Sequence, residues 1–92
     1  MSPTRGCSCQ STVLIVDDNM FNIIPLEYIL EDSFQIKSDK ALNGLEAVNI
    51  FTRNLNKSCC NVRYKLILMD LNMPIMDGYE ATQNILTLFW RK

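Results

Sequence analysis

Thr12-Val13-Leu14-Ile15-Val16 is a continuous apolar run rich in β-branched residues, and it ends abruptly at Asp17-Asp18-Asn19. Such a run predicts a strand buried on both faces, as in a parallel sheet. From Asn22 to Glu31 the apolar residues Ile23, Leu26 and Leu30 recur at helical spacing. With Asn22 as N-cap, Pro25 falls in the first turn, where its missing N–H costs nothing. Phe34-Gln35-Ile36-Lys37 alternates apolar and polar and predicts an edge strand. Asn43-Gly44 marks a turn, and Val48, Phe51 and Leu55 make a second helical stripe before a polar, irregular loop over 54–63. Lys65-Leu66-Ile67-Leu68-Met69 is a second buried-type strand, ending at Asp70. After Pro74 and Asp77-Gly78, which predict a loop and a turn, Ala81, Ile85 and Leu88 share one face of a third helix. The order βαβαβα predicts an α/β fold with parallel strands joined by right-handed crossovers.

Residues 1–11 hold Pro, Gly and several Ser without periodicity and read as a flexible lead-in, leaving 12–92 as the domain. A chain of 92 residues fits one small domain with a marginal core. Its net charge is −1, with nine basic and ten acidic residues intermixed. No basic stripe stands out, which argues against nucleic acid or an anionic membrane as partner. No apolar stretch approaches the roughly 20 residues of a membrane span, and the N-terminus has no signal-peptide core. The expectation is a soluble, cytoplasmic protein.

Four cysteines, Cys7, Cys9, Cys59 and Cys60, lack the paired two-to-four-residue spacing usual in zinc sites, and the chain has no histidine. They read as thiols in a tail and a loop.

The chemistry lies in the acids. Asp17-Asp18 follow one buried-type strand and Asp70 follows another. In an open α/β sheet, ligands sit beyond the carboxyl ends of the strands. If these two strands are neighbours, three carboxylates share one crevice and repel one another unless a hard cation such as Mg2+ joins them. The same cation makes Asp70 a plausible nucleophile toward phosphorus, with an aspartyl phosphate as product. The plainer alternative is that aspartates at strand ends serve as turn residues and helix caps. Asp77 fits that plainer role, as turn partner of Gly78.

The segments VLIVDDNMFN, ALNGLEAV and KLILMDLNMPIMDGYEAT resemble the receiver domains of two-component response regulators, particularly those attached to hybrid histidine kinases. The resemblance covers roughly residues 12–87. It implies a flavodoxin-like three-layer α/β/α fold whose first three strands lie in the order 2-1-3. It also implies Asp70 as the phosphorylation site, Asp18 as a direct Mg2+ ligand, Asp17 as holder of metal-bound water, the Asn72 backbone carbonyl as a further ligand, and Asn19 and Asn22 as capping positions that open the first helix. Met73, Pro74, Asp77 and Gly78 would shape the loop after the active strand, Gly78 by adopting a backbone conformation other residues resist. The implied partner is a histidine kinase or a histidine phosphotransfer protein, with the chain free in the cytoplasm or part of a membrane-anchored hybrid kinase.

Receiver domains have five βα units, whereas three are present here, so the resemblance implies a C-terminally truncated domain. The fourth and fifth strands carry a Ser or Thr and a Lys that sense the phosphoryl group. Thr82, Thr87 and Lys92 lie within or after the third helix, and Lys65 opens the third strand, so none substitutes. The third strand becomes an open apolar edge that invites self-association. Two further readings stand beside a phosphoacceptor module. One is a non-phosphorylated interaction remnant. The other is a phosphohydrolase resembling the haloacid dehalogenase kind, which the Asn at position 72 disfavours because those enzymes place a second Asp there.

Overall fold

The computed structural model describes residues 9–91, with the side chains of Trp90 and Arg91 excepted. The chain alternates β1 (Val13–Val16), α1 (Met20–Phe34), β2 (Ser38–Ala41), α2 (Gly44–Asn56), β3 (Leu66–Met69) and α3 (Gly78–Arg91). The strands form one parallel sheet in the order β2-β1-β3. Val13 lies opposite Ser38 on one side and Leu66 on the other.

The apolar run of β1 occupies the centre because it alone has both edges paired and both faces covered. Leu14 and Val16 pack on Ala41, Ala47 and Met73 on one face. Val13 and Ile15 pack on Ile23 of α1 on the other, with Met20, Leu30 and Ile36 around them. All four β1 residues are buried. Each contributes roughly 1.5–3 kcal/mol of transfer free energy. Every buried side-chain nitrogen and oxygen among the described residues has a hydrogen-bond partner.

Four expectations from the sequence need correction. The second strand is Ser38–Ala41, not 34–37. Phe34 is the last residue of α1, and Gln35 caps that helix in the left-handed region at φ 55°. The alternation at 34–37 therefore reports a helix end, while Ser-Asp-Lys-Ala forms a strand because β1 offers it a ladder.

The second correction concerns α1, which starts three residues early. Asn19 is its N-cap, its side chain accepting the Phe21 N–H at 2.9 Å. Asn22 instead donates to Asp17 Oδ2 at 3.1 Å. Pro25 is consequently interior, where it removes one helical hydrogen bond.

Third, α2 runs to Asn56, so Asn54 is a buried helical residue whose Oδ1 accepts the Tyr64 N–H at 3.2 Å. The buried stripe of α2 is Gly44, Ala47, Phe51 and Asn54, with Val48 and Leu55 on its flanks. Finally, β3 is half-exposed and not buried, because its outer edge is unpaired among the described residues.

Two glycines close the carboxyl end of the sheet. The N–H of Gly44, at the start of α2, donates to the Met76 carbonyl at 3.0 Å. A Cβ at Gly44 would lie 2.3 Å from that same oxygen. The loop between β3 and α3 is thereby held against α2.

Most of the presumed lead-in lies outside the described residues, Cys7 included. Its last part is tied down: Ser11 Oγ donates to Asp39 at 2.9 Å, and Thr12 N–H donates to the Lys37 carbonyl at 3.2 Å.

Candidate active site at the carboxyl end of the sheet

β1 and β3 are in-register neighbours, so the residues leaving them emerge side by side. The pairing continues one step past the strands, with Asp70 N–H donating to the Val16 carbonyl at 2.9 Å and Asp17 N–H to Ala41 at 3.1 Å. This brings Asp17, Asp18 and Asp70 together, each with a carboxylate oxygen within 4.8 Å of the others. Asp17 and Asp70 are half-buried and Asp18 is exposed.

The three acids differ in how they are held. Asp17 is fixed on both oxygens, Oδ1 accepting the Asn19 N–H at 3.0 Å and Oδ2 the Asn22 amide. Asp70 Oδ1 accepts the Asn72 N–H at 3.2 Å, a local turn that leaves Oδ2 for another partner. The Asp18 carboxylate accepts no hydrogen bond among the described residues and projects into solvent. No lysine or arginine among them forms an ion pair with any of the three.

The loop after β3 is anchored at both ends. Met73 is buried beneath it against Leu14 and Val16. The Pro74 carbonyl accepts the Met76 N–H at 2.8 Å across Ile75, whose φ is 73°. This is a tight turn around a β-branched residue in the left-handed region, a strained arrangement of the sort that gathers at functional sites. Asp77, which the sequence suggested as a turn partner of Gly78, caps α3 by accepting the Glu80 N–H at 2.9 Å.

Gly78 holds a different role from the one expected. Its φ is not in the left-handed range; its need is for space, since a Cβ would lie 2.2 Å from the Asp70 carbonyl oxygen. The Gly78 N–H also donates to the Leu71 carbonyl at 3.1 Å. The first residue of α3 thus rests directly on the backbone that carries Asp70. The flanking loop sequence signalled a turn, but this contact across eight residues had no local signature.

An all-oxygen set of clustered carboxylates is the donor chemistry of a hard divalent cation such as Mg2+. The response regulator receiver domain family pattern matches residues 13–89. The chain belongs to the response regulator receiver domain family. It is similar to two-component response regulator 24 of Arabidopsis thaliana, at 39% identity over 74 residues, covering 80% of this chain and 48% of that protein. It is also similar to hybrid signal transduction histidine kinase B of Dictyostelium discoideum, at 42% identity over 73 residues, 79% of this chain and 3% of the kinase. A co-crystal structure of the Saccharomyces cerevisiae histidine phosphotransfer signalling protein Ypd1 and the receiver domain of its downstream response regulator Ssk1 matches with a TM-score of 0.72 and 34% identity. That match covers 89% of this chain and 50% of the other. The receiver chain described here therefore spans about half of the plant relative, or less where the receiver is one part of a large kinase. Receiver domains are signalling modules and not turnover enzymes. The three-stranded parallel sheet in the order 2-1-3 agrees with the flavodoxin-like fold of this family. Among the described residues, no helix is long and apolar enough to cross a membrane.

Proposed function

We propose that this chain is a Mg2+-dependent phosphoacceptor in which Asp70 receives a phosphoryl group from a phosphohistidine. The donor would be a histidine kinase or a histidine phosphotransfer protein. The reading rests on one observation: the three carboxylates from two strand ends lie within 4.8 Å of one another. Such a cluster, with no basic partner among the described residues, is costly unless a cation joins it.

Asp18 and Asp70, with the Asn72 backbone carbonyl, would ligate Mg2+, and Asp17 would hold a metal-bound water. When bound, the ion offsets the repulsion between carboxylate and phosphate and draws off charge from the phosphoryl oxygens. Asp70 Oδ2 attacks phosphorus, forming the P–O bond as the P–N bond to imidazole breaks. The imidazole leaves with that electron pair and takes a proton from solvent. Asn72 N–H, bonded to Oδ1, orients the carboxylate so that Oδ2 faces the donor. Met73 and Pro74 keep the loop in place, Asp77 caps α3, and Gly78 lets that helix abut the Asp70 backbone. No small substrate is turned over. The reading places the chain in the cytoplasm, alone or carried by a membrane-anchored hybrid kinase.

A second reading has one observation in its favour. No lysine or arginine among the described residues forms an ion pair with the three acids. On that reading the chain binds partners without being phosphorylated.

Intact-mass analysis after incubation with Mg2+ and acetyl phosphate separates the two. One phosphoryl adduct on the parent chain and none on Asp70→Asn is the expected result. No adduct on the parent, in a sample folded by circular dichroism, overturns the phosphoacceptor reading.

A further inference from the structure

The opposite end of the sheet gathers a second set of groups. Because β1 and β3 are parallel and in register, the segments entering them also run side by side. Thr12, just ahead of β1, accepts the N–H of Lys65 at 2.7 Å. Three residues further back, Cys9 meets the loop between α2 and β3. That loop is drawn in by Arg63, whose Nη1 donates to the carbonyls of Cys60 and Val62 at 3.0 and 3.1 Å and whose Nη2 donates to that of Lys57 at 2.9 Å.

The result is a triad of sulfurs contributed from 50 positions apart. Cys9 Sγ lies 3.6 Å from Cys59 Sγ, Cys59 Sγ lies 3.9 Å from Cys60 Sγ, and all three fall within 4.8 Å of one another. Thiolates bound to Zn2+ at ~2.3 Å with tetrahedral angles stand about 3.8 Å apart. A disulfide requires about 2.05 Å and would engage only two of the three. The thiols hold this spacing as S–H···S contacts, and it also matches that of sulfurs around a shared cation.

Basic side chains share the space beside Cys9. Cys9 borders a cavity of about 570 Å³ that is also lined by Arg53 and Lys57. Three thiolates and one Zn2+ leave a net charge of −1, which these cations offset. Cys59 is exposed, giving the ion a route in, and water can fill the fourth position, as in other three-ligand sites.

We propose that Cys9, Cys59 and Cys60 form a three-thiolate Zn2+ site at the amino end of the sheet. Three S–H groups give up three protons to solvent and form three Zn–S bonds, with no change in oxidation state. The site clasps the entry to β1 to the entry to β3, at the far end of the strands from the acids. It neither depends on the phosphoacceptor reading nor supports it.

The test uses the full chain, kept reduced with a phosphine and saturated with Mg2+ to occupy the acids. Titration with Co2+ alone reads the near-ultraviolet thiolate-to-cobalt absorption, and Zn2+ then displaces the cobalt. One equivalent of Co2+ with this absorption is expected. Cys59→Ser and Cys60→Ser should weaken binding by at least the ~10–100-fold that loss of an outer-shell partner costs, with unchanged circular dichroism. Alkylation mapping of the parent chain gives a readout independent of any variant: Zn2+ should protect Cys9, Cys59 and Cys60 together. Cobalt binding without thiolate absorption, binding only at millimolar metal, or equal alkylation with and without Zn2+ overturns the proposal.

Discussion

Replacing Gly78 by alanine tests whether α3 sets the position of Asp70. The added Cβ would lie 2.2 Å from the Asp70 carbonyl oxygen, 2.8 Å from Leu71 Cα and 2.9 Å from the Asp70 carbonyl carbon. An ordinary carbon–oxygen contact is about 3.3 Å, so something must move by roughly 1 Å. All three opposing atoms are backbone, and no rotamer change relieves them. The cost is expected at ~1–3 kcal/mol, the range for overpacking a tight site. For a domain of this size each kcal/mol lowers the melting temperature by about 4–8 °C. The movement also strains the Gly78–Leu71 hydrogen bond and shifts Asp70 itself. A displacement of that size at a reacting group costs on the order of 100-fold in rate. Thermal melts followed by circular dichroism and the acetyl phosphate labelling rate, both measured at saturating Mg2+, read the two effects. Tyr79→Ala, at the exposed neighbouring position, is the control and should change neither. A Gly78→Ala chain with the parent's melting temperature and labelling rate would refute the reasoning. A lowered melting temperature with an unchanged rate would show that α3 absorbs the strain and leaves Asp70 in place.

Three further outcomes are expected. Ile75→Gly should raise stability by ~0.5–1 kcal/mol, since Ile75 is 76% exposed and glycine relieves its positive φ; an unchanged or lowered denaturation midpoint would count against strain in this loop. Tyr64 is pushed above its usual value of 10.0 by burial, then by its hydrogen bond to Asp39 and the charge of that carboxylate. The folded state therefore keeps a proton that the unfolded chain releases, so this stabilisation is present below pH 10.0 and is lost as pH rises toward the folded value. Tyr64→Phe should lower stability at neutral pH and flatten the decline above pH 10, read by urea denaturation across pH; parallel profiles for the two chains would contradict the assignment. Leu66 is 50% exposed on the β3 edge that no strand among the described residues pairs, and Leu66→Lys should suppress concentration-dependent self-association in sedimentation velocity. A parent chain that is monomeric at every concentration would remove that edge as a contact.

Much of the fold was written in local pattern. The run Val13–Val16 specified a central parallel strand because an unbroken apolar, β-branched stretch needs cover on both faces, and the run ending at Met69 marked a second strand although its outer edge leaves it half-exposed. The acids that follow each run were equally plain, because a charged side chain at the end of a buried strand is a feature of the sequence itself. Where two signals competed, tertiary structure decided. The alternation at 34–37 looked like a strand, yet Phe34 finishes α1 and the polar residues Ser38–Ala41 pair with β1. Strand formation there comes from an available partner and not from propensity. Asn19 and Asn22 both suited a cap, but Asp17 claims the Asn22 side chain and Asn19 alone caps, which moves Pro25 into the helix. Asn54 read as loop and is buried because the Tyr64 N–H reaches it.

Three features required the assembled sheet. The closeness of Asp17, Asp18 and Asp70 depends on β1 and β3 being neighbours, a fact of strand order that neither segment carries alone. The reason for Gly78 is a contact with the Asp70 backbone and not a dihedral angle of its own. The meeting of Cys9 with Cys59 and Cys60 follows from the same parallel pairing at the other end, and no spacing rule along the chain anticipates it. Local chemistry chose which residues stand at strand ends, because burial and backbone preference act over a few residues. Parallel register chose which ends meet, because that choice is made by contacts between segments some 50 residues apart.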